Sequence, residues 1–110
     1  MIKHIRSVRV QNGKAGQAAQ WGQEVADWLN ARWPDTNAQV FREVFGDAGT
    51  LYWIGDFEDI ATIERRTAER EADPEWRALM QRNVDLFVPG SLHDMLLRSA
   101  PIAAAAGERP

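Results

Sequence analysis

The chain has 110 residues, of which 45% are hydrophobic and 26% are charged, and its formal net charge is −3. This length suits one domain with a single core, and the negative charge argues against a nucleic-acid binder, whose surface is normally basic. The sequence has no cysteine, which excludes disulfides, thiolate nucleophiles and cysteine-type zinc sites.

Apolar side chains at alternating positions predict a first strand over residues 2–10, and the turn that follows it ends with Gly13. Residues 17–32 are predicted to form a helix, because apolar residues recur there at helical spacing. These residues are Trp21, Val25, Trp28 and Leu29. The helix must end near Trp33, since Pro34 disfavours helical geometry in the residue before it.

A β-hairpin is predicted next, because residues 38–45 and 50–57 are strand-like runs on either side of the glycine-containing stretch 46–49. If the last residue of the first run pairs with the first residue of the second, Arg42 lies opposite Trp53. This pairing places six residues on one face of the sheet: Val40, Arg42, Val44, Leu51, Trp53 and Phe57. A change of one residue in the loop would move one run to the other face.

Two more helical segments and a last strand complete the chain. The first helix begins after the hairpin, where acidic residues suit the positive end of a helix. The second begins at Asp73, which can cap it, and its apolar stripe continues to Phe87. Residues 91–98 are predicted to form the last strand, and the tail 101–110 is expected to be flexible.

The order β-α-β-β-α-β predicts an α+β fold of the ferredoxin-like type over residues 1–100. Two helices cover one face of its four-stranded sheet, and the chain has no further element to cover the other face. A second copy of the same sheet is the simplest cover, so we expect a symmetric homodimer through the sheet face. We expect a cytoplasmic protein with no membrane partner, because the sequence has no bilayer-spanning apolar run and no secretion signal.

The first strand carries charge where a core is expected. Strand alternation places His4 and Arg6 on the same face as Ile2, Val8 and Val10. The first strand of this topology is central, so these two side chains need a partner, because burying an unpaired charge is costly.

Several short motifs within residues 1–100 resemble the dimeric α/β-barrel superfamily. This superfamily includes stress-responsive A/B-barrel proteins, antibiotic-biosynthesis monooxygenases that need no cofactor, plant polyketide cyclases and NIPSNAP-like proteins. The motifs are Met1-Ile2-Lys3-His4-Ile5 with the glycine after the strand, and Phe57-Glu58-Asp59-Ile60. Two others are most similar to the NIPSNAP-like branch: Asp73-Pro74-Glu75-Trp76 and Gly90-Ser91.

The resemblance implies a dimeric α/β barrel in which a site lies between each sheet and its own helices. It also implies that the face with His4 turns toward the helices, because the cyclases carry a functional histidine at that position. The opposite face would then turn toward the partner subunit. The second histidine of the cyclases is replaced here by Trp76, so a two-histidine mechanism does not carry over.

The leading hypothesis is a small-molecule enzyme without a metal or organic cofactor that acts on a hydrophobic, aromatic or polyketide-like compound. Its chemistry would be cyclase-like or monooxygenase-like. His4 would be the general acid or base, and Arg6 would stabilise negative charge on oxygen. The substrate would contact five other residues: Trp21, Trp28, Arg42, Trp53 and Trp76.

Other interpretations of these residues remain open. The tryptophans can simply fill the core, and Arg6 can pair with Asp94 rather than with a ligand. The charged run from Glu64 to Glu71 is predicted to be a solvated helix face. A non-catalytic ligand-binding or structural homodimer is the alternative function. Haem binding is a weaker one, because related barrels place the iron-ligating histidine on the second helix, which has none here.

Overall fold

The computed structural model describes residues 1–99, which form one antiparallel sheet and three α-helices. The strands are β1 (Ile2–Arg9), β2 (Gln39–Arg42), β3 (Thr50–Phe57) and β4 (His93–Arg98). The helices are α1 (Ala15–Arg32), α2 (Ile60–Glu71) and α3 (Pro74–Gln81), with a 3-10 turn at Pro34–Thr36 after α1. The sheet order is β2-β3-β1-β4, which confirms the predicted ferredoxin-like α+β fold.

Each of the two later helices begins after an aspartate that caps it. Asp59 precedes α2, and its carboxylate accepts hydrogen bonds from the backbone N–H and the hydroxyl of Thr62, both at 2.7 Å. Asp73 precedes α3 and accepts from the backbone N–H of Glu75 at 2.8 Å, with Pro74 in the first turn. Each cap satisfies backbone donors that a helix N-terminus leaves unpaired.

Helix α1 lies directly on the sheet, and its Gly22 makes the close approach possible. A Cβ atom at this position would lie 3.1–3.4 Å from Leu51, Trp53 and Val40. The carbonyl of Gly22 also accepts a hydrogen bond of 3.0 Å from Nε1 of Trp53. The main core cluster lies between this helix, α3 and the sheet: Ala18, Trp21, Val25, Trp76, Leu79 and Leu86.

The sheet faces agree with the prediction, whereas the hairpin register does not. Arg42 pairs with Leu51 rather than with Trp53, so the register differs from the predicted one by two residues. A shift of two residues leaves every side chain on its predicted face, because side chains alternate with a period of two. Trp53 pairs with Arg6 of β1 and bonds to α1, so the face with His4 and Arg6 is the helix-covered one.

Several predicted elements are shorter in the structure, including the first strand, which ends at Arg9, and the last, which begins at His93. Strand β2 ends at Arg42, and the carboxylate of the next residue, Glu43, accepts a hydrogen bond from the backbone N–H of Asp47 inside the loop. Helix α3 ends at Gln81 rather than at Phe87. The chain turns there through the left-handed Asp85, at a φ of 67°.

The other face of the sheet carries no element of residues 1–99. Its edge strands expose large apolar side chains: Phe41 is 46% exposed, Met95 43% and Leu97 45%. Apolar Ile5 and Ile54 lie between them, paired across β1 and β3. We call the surface of these five residues the outer sheet face.

The predicted tail 101–110 lies outside the described residues, and no helix within residues 1–99 is long and apolar enough to cross a membrane.

Candidate functional site

Three side chains from β1 and β4 meet on the helix-covered face, and we call them the His4 cluster: His4, Arg6 and Asp94. Arg6 and Asp94 are direct partners in the β1–β4 register. Arg6 donates from Nε to Oδ1 of Asp94 at 2.7 Å and from Nη2 to Oδ2 at 3.0 Å. Nε2 of His4 lies 2.9 Å from the same Oδ1. Asp94 is therefore the partner that His4 and Arg6 of β1 require on this face.

The charge on Asp94 fixes the direction of its hydrogen bond with His4. The paired Arg6 guanidinium, followed by His4, lowers the pKa of Asp94 to about 2, while partial burial opposes the shift. The ionised carboxylate only accepts hydrogen bonds, so Nε2 of His4 must be the donor. A neutral His4 then carries no proton on Nδ1, and this nitrogen can act as a base.

We expect Asp94→Asn to reduce the acid sensitivity of the fold. The pKa of Asp94 is lower in the folded chain than its ordinary value near 4. The ion pair therefore stabilises the fold above about pH 4, and this contribution is lost as the pH falls toward 2. The side chain is 41% exposed, so solvent screening leaves a contribution on the order of 1 kcal/mol.

Urea unfolding at pH 5 and pH 2.5 measures this difference. Between these pH values the wild type should lose about 1 kcal/mol more stability than Asp94→Asn. Asp27→Asn, on the exposed side of α1, is the matched control and should keep the wild-type pH dependence. Equal losses in the wild type and Asp94→Asn would contradict the assignment.

Arg70 is a neighbour of the cluster that the sequence did not identify. It lies near the C-terminal end of α2, half-buried, and its guanidinium carbon is 5.0 Å from the ring centroid of Trp76. Burial lowers the pKa of Arg70, and the nearby positive charge of Arg6 lowers it further. The prediction of a fully solvated helix face is therefore wrong at this position.

The same prediction is also wrong at Arg66, whose side chain is only 13% exposed. Arg66 donates to Thr36 at 2.9 Å and to Asp35 at 3.0 Å, and it packs over the rings of Trp33 and Phe57. It joins α2 to the 3-10 turn. A charged helical run alone does not show which of its members a neighbouring turn will cover.

Two of the predicted substrate-binding tryptophans lie in the core and contact each other. Trp21 and Trp53 have ring centroids 5.8 Å apart in an edge-to-face arrangement, and Phe87 packs against both. Nε1 of Trp21 donates to the carbonyl of Leu79 at 2.8 Å. Nε1 of Trp53 donates to the carbonyl of Gly22 in α1, so both indole N–H groups have an acceptor within the chain.

The other two predicted tryptophans, Trp28 and Trp76, form a second aromatic pair with centroids 5.0 Å apart. Nε1 of Trp28 donates to Oε1 of Glu75 at 2.7 Å. Trp28 also lines an open cavity of about 350 Å³ between α1 and α3, together with Glu24, Leu79 and Arg82 among others. Trp28 also lines a second cavity of about 250 Å³, together with Arg32. Neither cavity reaches His4 or Arg6.

The remaining candidates lie apart from the His4 cluster. Arg42 is exposed at the end of the edge strand β2, and β3 separates it from β1. His93 pairs with Ser7, so it lies on the opposite face of the sheet from Asp94. Among residues 1–99, no group of three His, Asp or Glu side chains converges to hold a metal ion.

Solved structures with the same architecture place the chain in a ferredoxin-like class. A NIPSNAP family protein of unknown function from Agrobacterium tumefaciens is 20% identical, with a TM-score of 0.77 over 91% of this chain and 88% of that chain. An uncharacterized NIPSNAP domain protein from Burkholderia xenovorans is 17% identical, with a TM-score of 0.75 over 91% and 95%. An antibiotic biosynthesis monooxygenase is 14% identical, with a TM-score of 0.67 over 92% and 100%.

The NIPSNAP family model matches residues 5–104, which is nearly the whole sequence. The chain therefore belongs to the NIPSNAP family. None of the curated protein sequences matches it.

Proposed function

We propose that this NIPSNAP protein is a small-molecule enzyme in which His4 transfers a proton to and from an enolisable, hydrophobic aromatic or polyketide-like compound. The observation that carries the proposal is the shared bonding of His4 and Arg6 to Asp94 on the helix-covered face. A histidine held by an ionised carboxylate has a fixed tautomer and ring orientation, which suits general acid–base chemistry.

The proposed proton transfer needs a base and a cationic group beside it, and His4 and Arg6 would supply them. Nδ1 of His4 takes a proton from an acidic C–H of the substrate, and the electron pair of that bond forms an enolate. The guanidinium of Arg6 stabilises the negative charge on the enolate oxygen. The His4 side chain is 20% exposed and that of Asp94 41%, so the site is open to solvent beside β4. Cyclase-like and monooxygenase-like reactions can both begin with this enolate.

The proposal can be tested without knowing the natural substrate. The probe is 2-tetralone, an aromatic ketone with acidic C–H groups, and the measurement is deuterium exchange from D₂O followed by proton NMR. The wild type should accelerate the exchange above buffer, and His4→Gln should reduce the acceleration about 100-fold. The chain has only one other histidine. His93→Gln is therefore the matched control, and it should exchange like the wild type because its side chain lies on the other face.

Exchange by the wild type no faster than by buffer would contradict the proposal. Equal rates for the wild type and His4→Gln would also contradict it, because a group other than His4 would then take the C–H proton. Circular dichroism of His4→Gln checks that the variant is folded, so that a lower exchange rate can be assigned to the loss of the imidazole.

A second candidate function is a non-catalytic ligand-binding or structural homodimer, and the packing of the tryptophans favours it. Three indole N–H groups donate within the chain, those of Trp21, Trp28 and Trp53, so these rings present no free donor to a substrate. In either case we propose that two copies pair through the outer sheet face, because no element of residues 1–99 covers its exposed apolar side chains.

A further inference from the structure

The open cavity of about 350 Å³ between α1 and α3 is separate from the His4 cluster. We call it the Trp28 groove, and six residues line it: Glu24, Trp28, Glu75, Ala78, Leu79 and Arg82. Its volume lies at the lower end of the range for small-molecule sites. The second cavity, of about 250 Å³, is also lined by Trp28 and Glu75. A ligand in the groove can therefore contact an indole ring and a carboxylate together.

Glu75 is the one charged residue of the groove that forms no salt bridge within residues 1–99. Its Oε1 accepts a hydrogen bond of 2.7 Å from Nε1 of Trp28, which is a neutral donor. The backbone N–H groups of Glu75 and Trp76 in the first turn of α3 are bonded to Asp73. The carboxylate of Glu75 is therefore held beside the indole without a direct cationic partner.

The other charges around the groove balance one another. Glu24 binds Arg82 at 2.5 Å, so the two remaining charged residues of the lining form a pair. Arg32 lines the second cavity, and it binds Asp73 at 2.9 Å. Four further charged residues of these helices and of the end of α2 line neither cavity and carry two charges of each sign: Asp27, Arg70, Glu71 and Arg77. The charge of Glu75 is the one left over.

An ammonium group on an apolar body has the chemistry that the groove requires. The ammonium carries the opposite charge to Glu75 and offers three N–H donors. Ala78 and Leu79 supply apolar surface beside the indole. The indole of Trp28 already accommodates a cation, since the guanidinium carbon of Arg32 lies 5.0 Å from its ring centroid. A neutral or anionic ligand would leave the charge of Glu75 without a partner.

We propose that the Trp28 groove binds a primary amine with an aromatic or otherwise apolar body. Its ammonium group pairs with Glu75, and its body lies against Trp28, Ala78 and Leu79. The groove does not reach His4, so this inference goes beyond the proposed function, and a failure of the proton transfer leaves it unchanged.

Proton NMR titration with 2-phenylethylamine and with the neutral 2-phenylethanol tests the proposal. The readout is the indole N–H resonance of Trp28, which is identified by its loss in Trp28→Phe. The wild type should bind the amine about fivefold more tightly than the alcohol, near the upper limit for an ion pair at an exposed carboxylate. Glu75→Gln keeps an acceptor for Trp28 and removes the charge, so it should bind both probes equally. Glu64→Gln removes the same charge from an exposed position of α2 and should keep the wild-type preference.

Ala78→Leu tests the position of the probes. Ala78 is exposed on α3 and leucine is a good helix former, so the variant should stay folded while its larger side chain occupies part of the groove. Neither probe should then shift the Trp28 resonance, and circular dichroism checks the fold. No shift in the wild type, equal affinities for the two probes, or an undiminished preference in Glu75→Gln would overturn the inference. Unchanged affinities in Ala78→Leu would also overturn it, because the probes would then bind outside the groove.

Discussion

Phe41→Asp is expected to convert a homodimer into a folded monomer. Light scattering of the wild type at micromolar concentration should give about twice the chain mass of 12.4 kDa, and the variant should give 12.4 kDa. Phe41 is 46% exposed on the outer sheet face, so a charge there leaves the single subunit intact. In a dimer the same carboxylate would be buried among apolar side chains without a partner, which costs several kcal/mol.

Val84→Asp is the control for this experiment, because it introduces the same charge at an apolar residue that is 68% exposed but lies outside the sheet. It should remain dimeric. Circular dichroism of both variants should match the wild type. A wild type that scatters as a 12.4 kDa particle would contradict the dimer, and a dimeric Phe41→Asp would place the interface on another surface.

Trp21→Ala is expected to lower the free energy of unfolding by about 3–5 kcal/mol, as large-to-small substitutions in a core do. Trp21 is buried in the main core cluster, where its ring packs edge-to-face against Trp53 and Phe87. The substitution also leaves the carbonyl of Leu79 without its donor. Urea unfolding at a fixed protein concentration measures the loss, since the proposed dimer would make stability depend on concentration.

Trp21→Phe separates packing from hydrogen bonding and remains measurable if the alanine variant does not fold. It keeps an aromatic ring and removes the indole N–H, so the expected loss is about 1–2 kcal/mol. A loss below about 1 kcal/mol for Trp21→Ala would mean that the ring is not part of the core. That result would support the interpretation of Trp21 as a substrate contact.

Local sequence features predicted the elements and the faces of the sheet. Asp73 caps α3 as expected, because a cap needs only backbone donors two or three residues away. Asp59 is one of the acidic residues expected at the start of α2, and it caps that helix. The face of each hairpin residue was also predictable, although the register differs by two residues. Strand alternation has a period of two, so an even shift leaves the faces unchanged.

Which residues form the candidate site could be determined only from the tertiary structure. His4 and Asp94 are 90 positions apart in the chain and meet because β4 pairs with β1. Asp94 could be considered as a partner of Arg6 from the sequence, but its bond to His4 could not. Whether Arg66 and Arg70 are solvated depends on which turns and helices pack against α2. Caps, turns and alternation act over a few residues and are encoded locally, whereas these contacts exist only after the sheet has closed and the helices have packed.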